Sequence, residues 1–190
     1  MDITNFRSQM NRDGARPNLF RVEVNLPATL QNLNSGNSFG TKLAFTARAA
    51  QIPGSTLGKA TAQYMGREVF FAGNRTFADW TITVMNDEDF IVRKTIEAWS
   101  GAINSHITNV RRGDLFGPND YVADCNVHHL SKLGDDVIIA SYQMINAWPV
   151  DVSAIDLDWG TNDVVEEFSI TFSMDTWLSE HPETGGGVRI

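Results

Sequence analysis

Residues 80–104 read WTITVMNDEDFIVRKTIEAWSGAIN, and two hydrophobic periods meet inside them. Trp80, Ile82 and Val84 alternate with Thr81 and Thr83, the two-residue period of a half-buried strand. Val92, Ile96, Trp99 and Ile103 then fall at spacings of four, three and four, a single apolar stripe on a helix. Between them, Asn86-Asp87-Glu88-Asp89 reads as a cap with first-turn acids, which suit the positive end of the helix dipole. The pattern predicts one helix over about residues 87–104, weakened a little by Gly101 and ended by Asn104-Ser105.

Around that helix the chain reads as strand. In residues 18–26, Phe20, Val22, Val24 and Leu26 alternate with Arg21, Glu23 and Asn25, and Pro27 follows. Residues 31–41 have loop composition. Residues 43–52 alternate again through Leu43, Phe45, Ala47 and Ala49, with Pro53-Gly54 as the stop. Residues 59–65 and 68–72 flank Gly66 as a hairpin or a bent strand, and Gly73-Asn74 reads as a turn. Residues 121–130 and 137–148 read as a hairpin around Gly134-Asp135-Asp136, the second strand stopped by Pro149. Residues 160–163 read as a turn. In residues 165–175, Phe168, Ile170, Phe172 and Met174 alternate with Glu167, Ser169, Thr171 and Ser173. The expected fold is mainly β, a β-rich α+β domain of seven or eight strands with one packed helix. Residues 1–17 read as an extended polar arm, 18–178 as one domain, and 179–190, with Pro182 and three consecutive glycines, as a flexible tail.

Composition narrows the function classes. The chain has 190 residues, 42% hydrophobic, with 11 Phe and 5 Trp, enough for one well-buried core. No apolar run approaches the roughly 20 residues of a membrane helix, and the N-terminal residues show no apolar signal segment. Cys125 is the single cysteine, so an intrachain disulfide framework and a multi-cysteine zinc site are excluded. The net charge of −8 argues against a general nucleic-acid binder. That charge is unevenly placed. Residues 1–132 hold 14 Lys/Arg and 12 Asp/Glu, whereas residues 133–188 hold 11 Asp/Glu and no Lys or Arg.

Residues with catalytic or ligating chemistry do not assemble into a motif. The stretch Gly36-Asn37-Ser38-Phe39-Gly40-Thr41-Lys42 resembles a phosphate loop, but its order is Thr-Lys, its spacer is short, and a strand is expected after it. Asp156, Asp158 and Glu167 match positions 1, 3 and 12 of a calcium loop, but Gly160 and Thr161 fail at positions 5 and 6. Cys125 and His129 share a strand face while His128 points away; His106 and His181 are distant in sequence. Glu166 and Glu167, adjacent on a strand, face opposite ways and cannot act as an acid/base pair. The acids Asp87, Glu88 and Asp89 are assigned to helix capping. No Gly-x-Ser-x-Gly elbow occurs. No catalytic, cofactor-binding or metal residue is therefore proposed.

Two long segments carry a family resemblance. The first runs from Ala50-Gln51-Ile52-Pro53-Gly54-Ser55-Thr56 through Ala72-Gly73-Asn74-Arg75-Thr76-Phe77 and Trp80 to Met85-Asn86-Asp87-Glu88-Asp89-Phe90 and Ile103-Asn104. The second runs from Ala147-Trp148-Pro149 through Leu157-Asp158-Trp159 and Asn162-Asp163-Val164-Val165-Glu166-Glu167-Phe168 to Trp177. Their order resembles the tail tube proteins of contractile-tailed bacteriophages, related to the inner tubes of tailocins, type VI secretion and extracellular injection systems. The resemblance implies an antiparallel β-barrel or sandwich subunit with the helix packed outside, completing a continuous barrel in a hexameric ring. It implies a virion protein without enzyme activity or cofactor. Its partners would be further copies stacked head to tail, the tail sheath, the baseplate hub, the tape-measure protein and the tail terminator, with duplex DNA passing through unbound.

Under that reading, the acidic block either lines a conduit that must not hold phosphate or meets a basic sheath subunit through salt-screened ion pairs. The alternatives are the inner tube of a DNA-free injection particle, a soluble ligand- or metal-binding β-barrel, or a small enzyme.

Overall fold

A computed structural model describes residues 2–10, 14–33 and 38–180 of the chain. Among these, nine strands dominate: β1 (Phe20–Val24), β2 (Ala47–Ala50), β3 (Ser55–Tyr64), β4 (Arg67–Phe77), β5 (Trp80–Met85), β6 (Ala123–Ser131), β7 (Gly134–Val152), β8 (Glu167–Ser173) and β9 (Thr176–Glu180). The α-helices are α1 (Ile3–Gln9), α2 (Ser38–Thr46) and α3 (Ile91–Ile103). Every strand pairing is antiparallel.

The 19-residue β7 organises the sheets. Its first part pairs with β6 on one edge, and Ser141 to Ile145 pair with β9 on the other. Its last part, from Trp148 to Val152, pairs with β8, which continues to β5 and β2. The bend between the two parts falls at Asn146, whose φ is 57°. Asp124 Oδ1 accepts from the Asn146 backbone N–H at 3.2 Å, and Asn146 Nδ2 donates to Asp175 at 2.7 Å. Pro149 does not stop β7, contrary to the expectation from sequence. It sits beside a register shift, where a residue without an N–H costs no ladder bond.

Among the described residues the path β1-β6-β7-β8-β5-β2 does not close on itself and makes no complete barrel. Its two end strands, β1 and β2, each have one strand neighbour.

One core joins both layers. Val22, Cys125, Val127 and Met144 come from the β1-β6-β7 side, and Trp80, Ile82, Val84, Phe168, Ile170 and Phe172 from β5 and β8. The α3 stripe enters the same core through Val92, Ile96, Trp99 and Ala102, with Ile103 packed at its margin. The Trp99 and Phe172 rings lie 6.1 Å apart, and Trp80 stands 5.5 Å from Phe172. Both indoles find acceptors: Trp99 Nε1 donates to the Tyr121 carbonyl at 2.8 Å and Trp80 Nε1 to Gln51 at 2.9 Å. A buried Trp thus contributes its large apolar area without an orphaned N–H.

Five local expectations are corrected. The helix begins at Ile91, not near 87, and Phe90 precedes it in the left-handed region (φ 56°). The acids form a turn ahead of it, in which Asp87 accepts from the Glu88 N–H and Asp89 from the Ile91 N–H. Residues 38–46 form α2 rather than loop and strand, leaving only Ala47–Ala50 as strand. Gly73-Asn74 does not turn the chain; β4 runs through both. Part of the 1–17 arm is helical: α1 is capped by Asp2, whose carboxylate accepts from the Thr4 N–H, and buries none of its residues. The expected tail loses Ser179 and Glu180 to β9, and residues 181–190 lie outside the described residues.

Candidate functional site

Several of the groups singled out for chemistry have a structural partner instead, whereas His129 Nδ1 on β6 is buried without a hydrogen-bond partner. Lys42, the lysine of the phosphate-loop-like stretch, lies at the middle of α2, whose first turn is the end of that stretch, so this stretch does open a helix. Its ammonium is held by Asp87 at 2.7 Å and by Asp89, which ties α2 to the turn before α3. These hydrogen bonds raise the Lys42 pKa and lower that of Asp89. Glu167 is paired with Arg48, Glu166 accepts from Asn86 Nδ2 at 3.0 Å, and Asp158 accepts from the Gly160 N–H at 2.9 Å. Asp156, Asp158 and Glu167, the acids of the calcium-loop match, all line one surface groove, with Glu167 taken up by Arg48. Among the described residues no group of three His, Cys, Asp or Glu is placed to hold a metal. Cys125 is buried, and loss of hydration pushes its thiol up to about 12. His128 Nδ1 lies 2.9 Å from Ser141 Oγ, and its Nε2 is 3.6 Å from Glu23. His106 lies in the loop after α3, and His181 is outside the described residues.

The exposed surfaces are more unusual than any cleft. Strands β3 and β4 pair only with each other, from Ser55 opposite Phe77 to Tyr64 opposite Arg67. The two-residue turn, Met65-Gly66, has φ of 48° and 77°, the left-handed pair that matches the twist of a tight hairpin. Both faces of this hairpin are exposed, including Leu57, Tyr64, Val69, Phe70 and Phe71. Its base is fixed by Gly54: the carbonyl accepts from the Ala78 N–H and from Trp177 Nε1, each at 3.3 Å. A free two-stranded hairpin is at best marginal in water, and this one also carries exposed aromatics.

A second surface lies along residues 154–166, around a groove of about 700 Å³. Leu157, Trp159, Val164 and Val165 are exposed there, Trp159 completely (101%). Asp156 and Asp158 stand among them, so the acidic half of the sequence comes to the surface beside apolar side chains. Nothing in the sequence marks this patch, because exposure of a Trp is not visible in its spacing.

Comparison with known proteins agrees with a structural rather than a catalytic surface. Residues 15–180 match the family described as phage tail tube protein.

The chain belongs to the phage tail tube protein family.

Two phage relatives align along nearly the whole tail tube chain. The tail tube protein gp19 of Enterobacteria phage T4 is 28% identical over 176 residues, 93% of this chain and 97% of the T4 protein. The tail tube protein of Serratia phage KSP90 is 24% identical over 169 residues, 88% of this chain and 90% of that one. The fold resembles that of a chain in the extracellular contractile injection system PVC sheath/tube terminator, with a TM-score of 0.59 at 12% identity, covering 85% of this chain and 92% of that one. It also resembles a chain in the anti-feeding prophage baseplate, with a TM-score of 0.57 at 13% identity, covering 90% and 97%. The expected family and the mainly β fold are borne out. This is a phage tail tube protein, a structural virion component and not an enzyme. No helix among its described residues is long and apolar enough to cross a membrane.

Proposed function

We propose that copies of this tail tube protein join sheet edge to sheet edge into closed hexameric rings, and that the rings stack into the inner tube of a contractile tail. The observation that carries this is the open sheet path. β1 and β2 each leave one edge of backbone donors and acceptors unpaired by a strand, and such edges invite pairing with another chain. Identical copies related by rotation satisfy those two edges all round and leave no end strand on that path. The exposed β3–β4 hairpin supplies the contact along the tube axis, since it gains a buried face only against another copy. The tube would hold the tape-measure protein during assembly, pass duplex DNA at infection, and be flanked by sheath, baseplate hub and terminator. Its acid-rich half limits phosphate binding, because each Lys or Arg contact to DNA adds affinity through counterion release.

Negative-stain microscopy of the purified protein, alone and with baseplate added, tests the reading. Rings or rods of uniform width are expected. A chain that stays monomeric at high concentration with baseplate present overturns it. A second reading, the tube of a particle that carries no genome, is favoured by the fold likeness to the anti-feeding prophage chain. DNA content of particles assembled in the host separates the two.

A further inference from the structure

Resting on the tube reading above, we propose that α1 of one copy docks, apolar face down, into the 154–166 groove of a neighbouring copy. Ile3, Phe6 and Met10 follow the helical spacing of three and four and are exposed at 72%, 67% and 44%. They form one apolar stripe that touches nothing in its own core. A seven-residue helix without tertiary support is marginal in water, so this one needs a surface to persist. The groove is a surface of matching kind. Leu157, Trp159, Val164 and Val165 offer an apolar floor of the sort that receives amphipathic helices. The charges also match. α1 carries Arg7 in its last turn, whereas Asp156 and Asp158 rim the groove and its one cation, Arg48, is engaged by Glu167.

Site-directed crosslinking tests this. Phe6→Cys and Trp159→Cys variants are prepared separately, mixed, assembled and oxidised; the native Cys125 is buried and does not compete. Covalent dimers of the two variants are expected in rods, well above the yield when Phe6→Cys is mixed with Thr61→Cys on the exposed hairpin. Arg7→Glu or Asp156→Arg, introduced singly into the mixture, should lower the yield severalfold, and both together should restore it. Rods that form with no such dimer overturn this proposal while leaving the tube reading intact. A disulfide forming inside the Phe6→Cys/Trp159→Cys double variant as a dilute monomer also overturns it, because the groove then receives its own helix. Rods built as readily from an Ile3→Glu/Phe6→Glu variant would show that another occupant covers the groove. A preparation that makes no rods at all brings down both readings together.

Discussion

A methyl group on Gly73 would stand 2.9 Å from the carbonyl carbon of Gly58 on the facing strand, closer than non-bonded carbons approach. The two glycines meet where the β3–β4 ladder slips register between Leu57 and Lys59. Neither is there for a turn; the backbones come together because no side chain separates them. Gly73→Val should therefore distort the hairpin while sparing the core, to which no residue of the paired stretch between Gly58 and Gly73 belongs. The expected outcome is a thermal midpoint within a few degrees of the parent and a loss of rod formation by microscopy. A variant that assembles normally would remove the hairpin from the assembly surface.

Trp99 joins α3 to both β8 and the Tyr121 carbonyl. Truncation to alanine should cost about 3–5 kcal/mol, the usual range for a fully buried Trp. Trp99→Phe keeps most of the apolar volume but orphans the Tyr121 carbonyl and should cost roughly 1–3 kcal/mol. Urea unfolding followed by circular dichroism measures both, and equal losses would mean that the apolar volume a Phe keeps carries no weight and that the indole hydrogen bond and shape carry all of it.

The Lys42 pin gives a pH dependence with a definite sign. Asp89 is lowered from its ordinary 3.8 chiefly by the Lys42 hydrogen bond, so its contribution is complete above that value and is lost as pH falls through the lowered pKa. Lys42 is raised from 10.5 by the Asp87 and Asp89 hydrogen bonds, so its contribution is complete below 10.5 and is lost as pH rises through the raised pKa. Lys42→Met should flatten the stability profile at both extremes and change its shape little between them. Thermal unfolding of both proteins across pH provides the measurement, and parallel profiles would count against the pin.

Cys125 should behave as an unfolding reporter. With its thiol buried and pushed up to about 12, almost no thiolate exists at pH 8 in the native protein. A disulfide reagent should label it only slowly in the folded chain and at the rate of a free thiol in denaturant. Fast native labelling would place Cys125 outside the core.

Where the hydrophobic period had one interpretation, it was legible. Phe168, Ile170 and Phe172 alternate over β8 and all three are buried; Val92, Ile96 and Trp99 have helical spacing and line α3. Where two periods coincide, it was not. Phe39 and Leu43 are one helical turn apart, yet Leu43, Phe45, Ala47 and Ala49 also alternate. The structure takes the helix through Thr46, burying Phe39 and Leu43 and leaving Phe45 at 82% exposure. Packing of α2 on β1 and α3 selects between the two, and that contact is remote in sequence.

The sequence by itself determined a β-rich domain with a core helix, the absence of a convergent catalytic motif and the acidic second half, because periodicity and composition are local properties of the chain. Only the tertiary structure decided that Lys42 is bound to Asp87 and Asp89, that β7 passes through Pro149 to join two layers, and that Trp159 is wholly exposed while Trp80 and Trp99 are wholly buried. Those outcomes depend on which distant segments meet, and the free energy of such meetings is shared among partners that no single stretch contains.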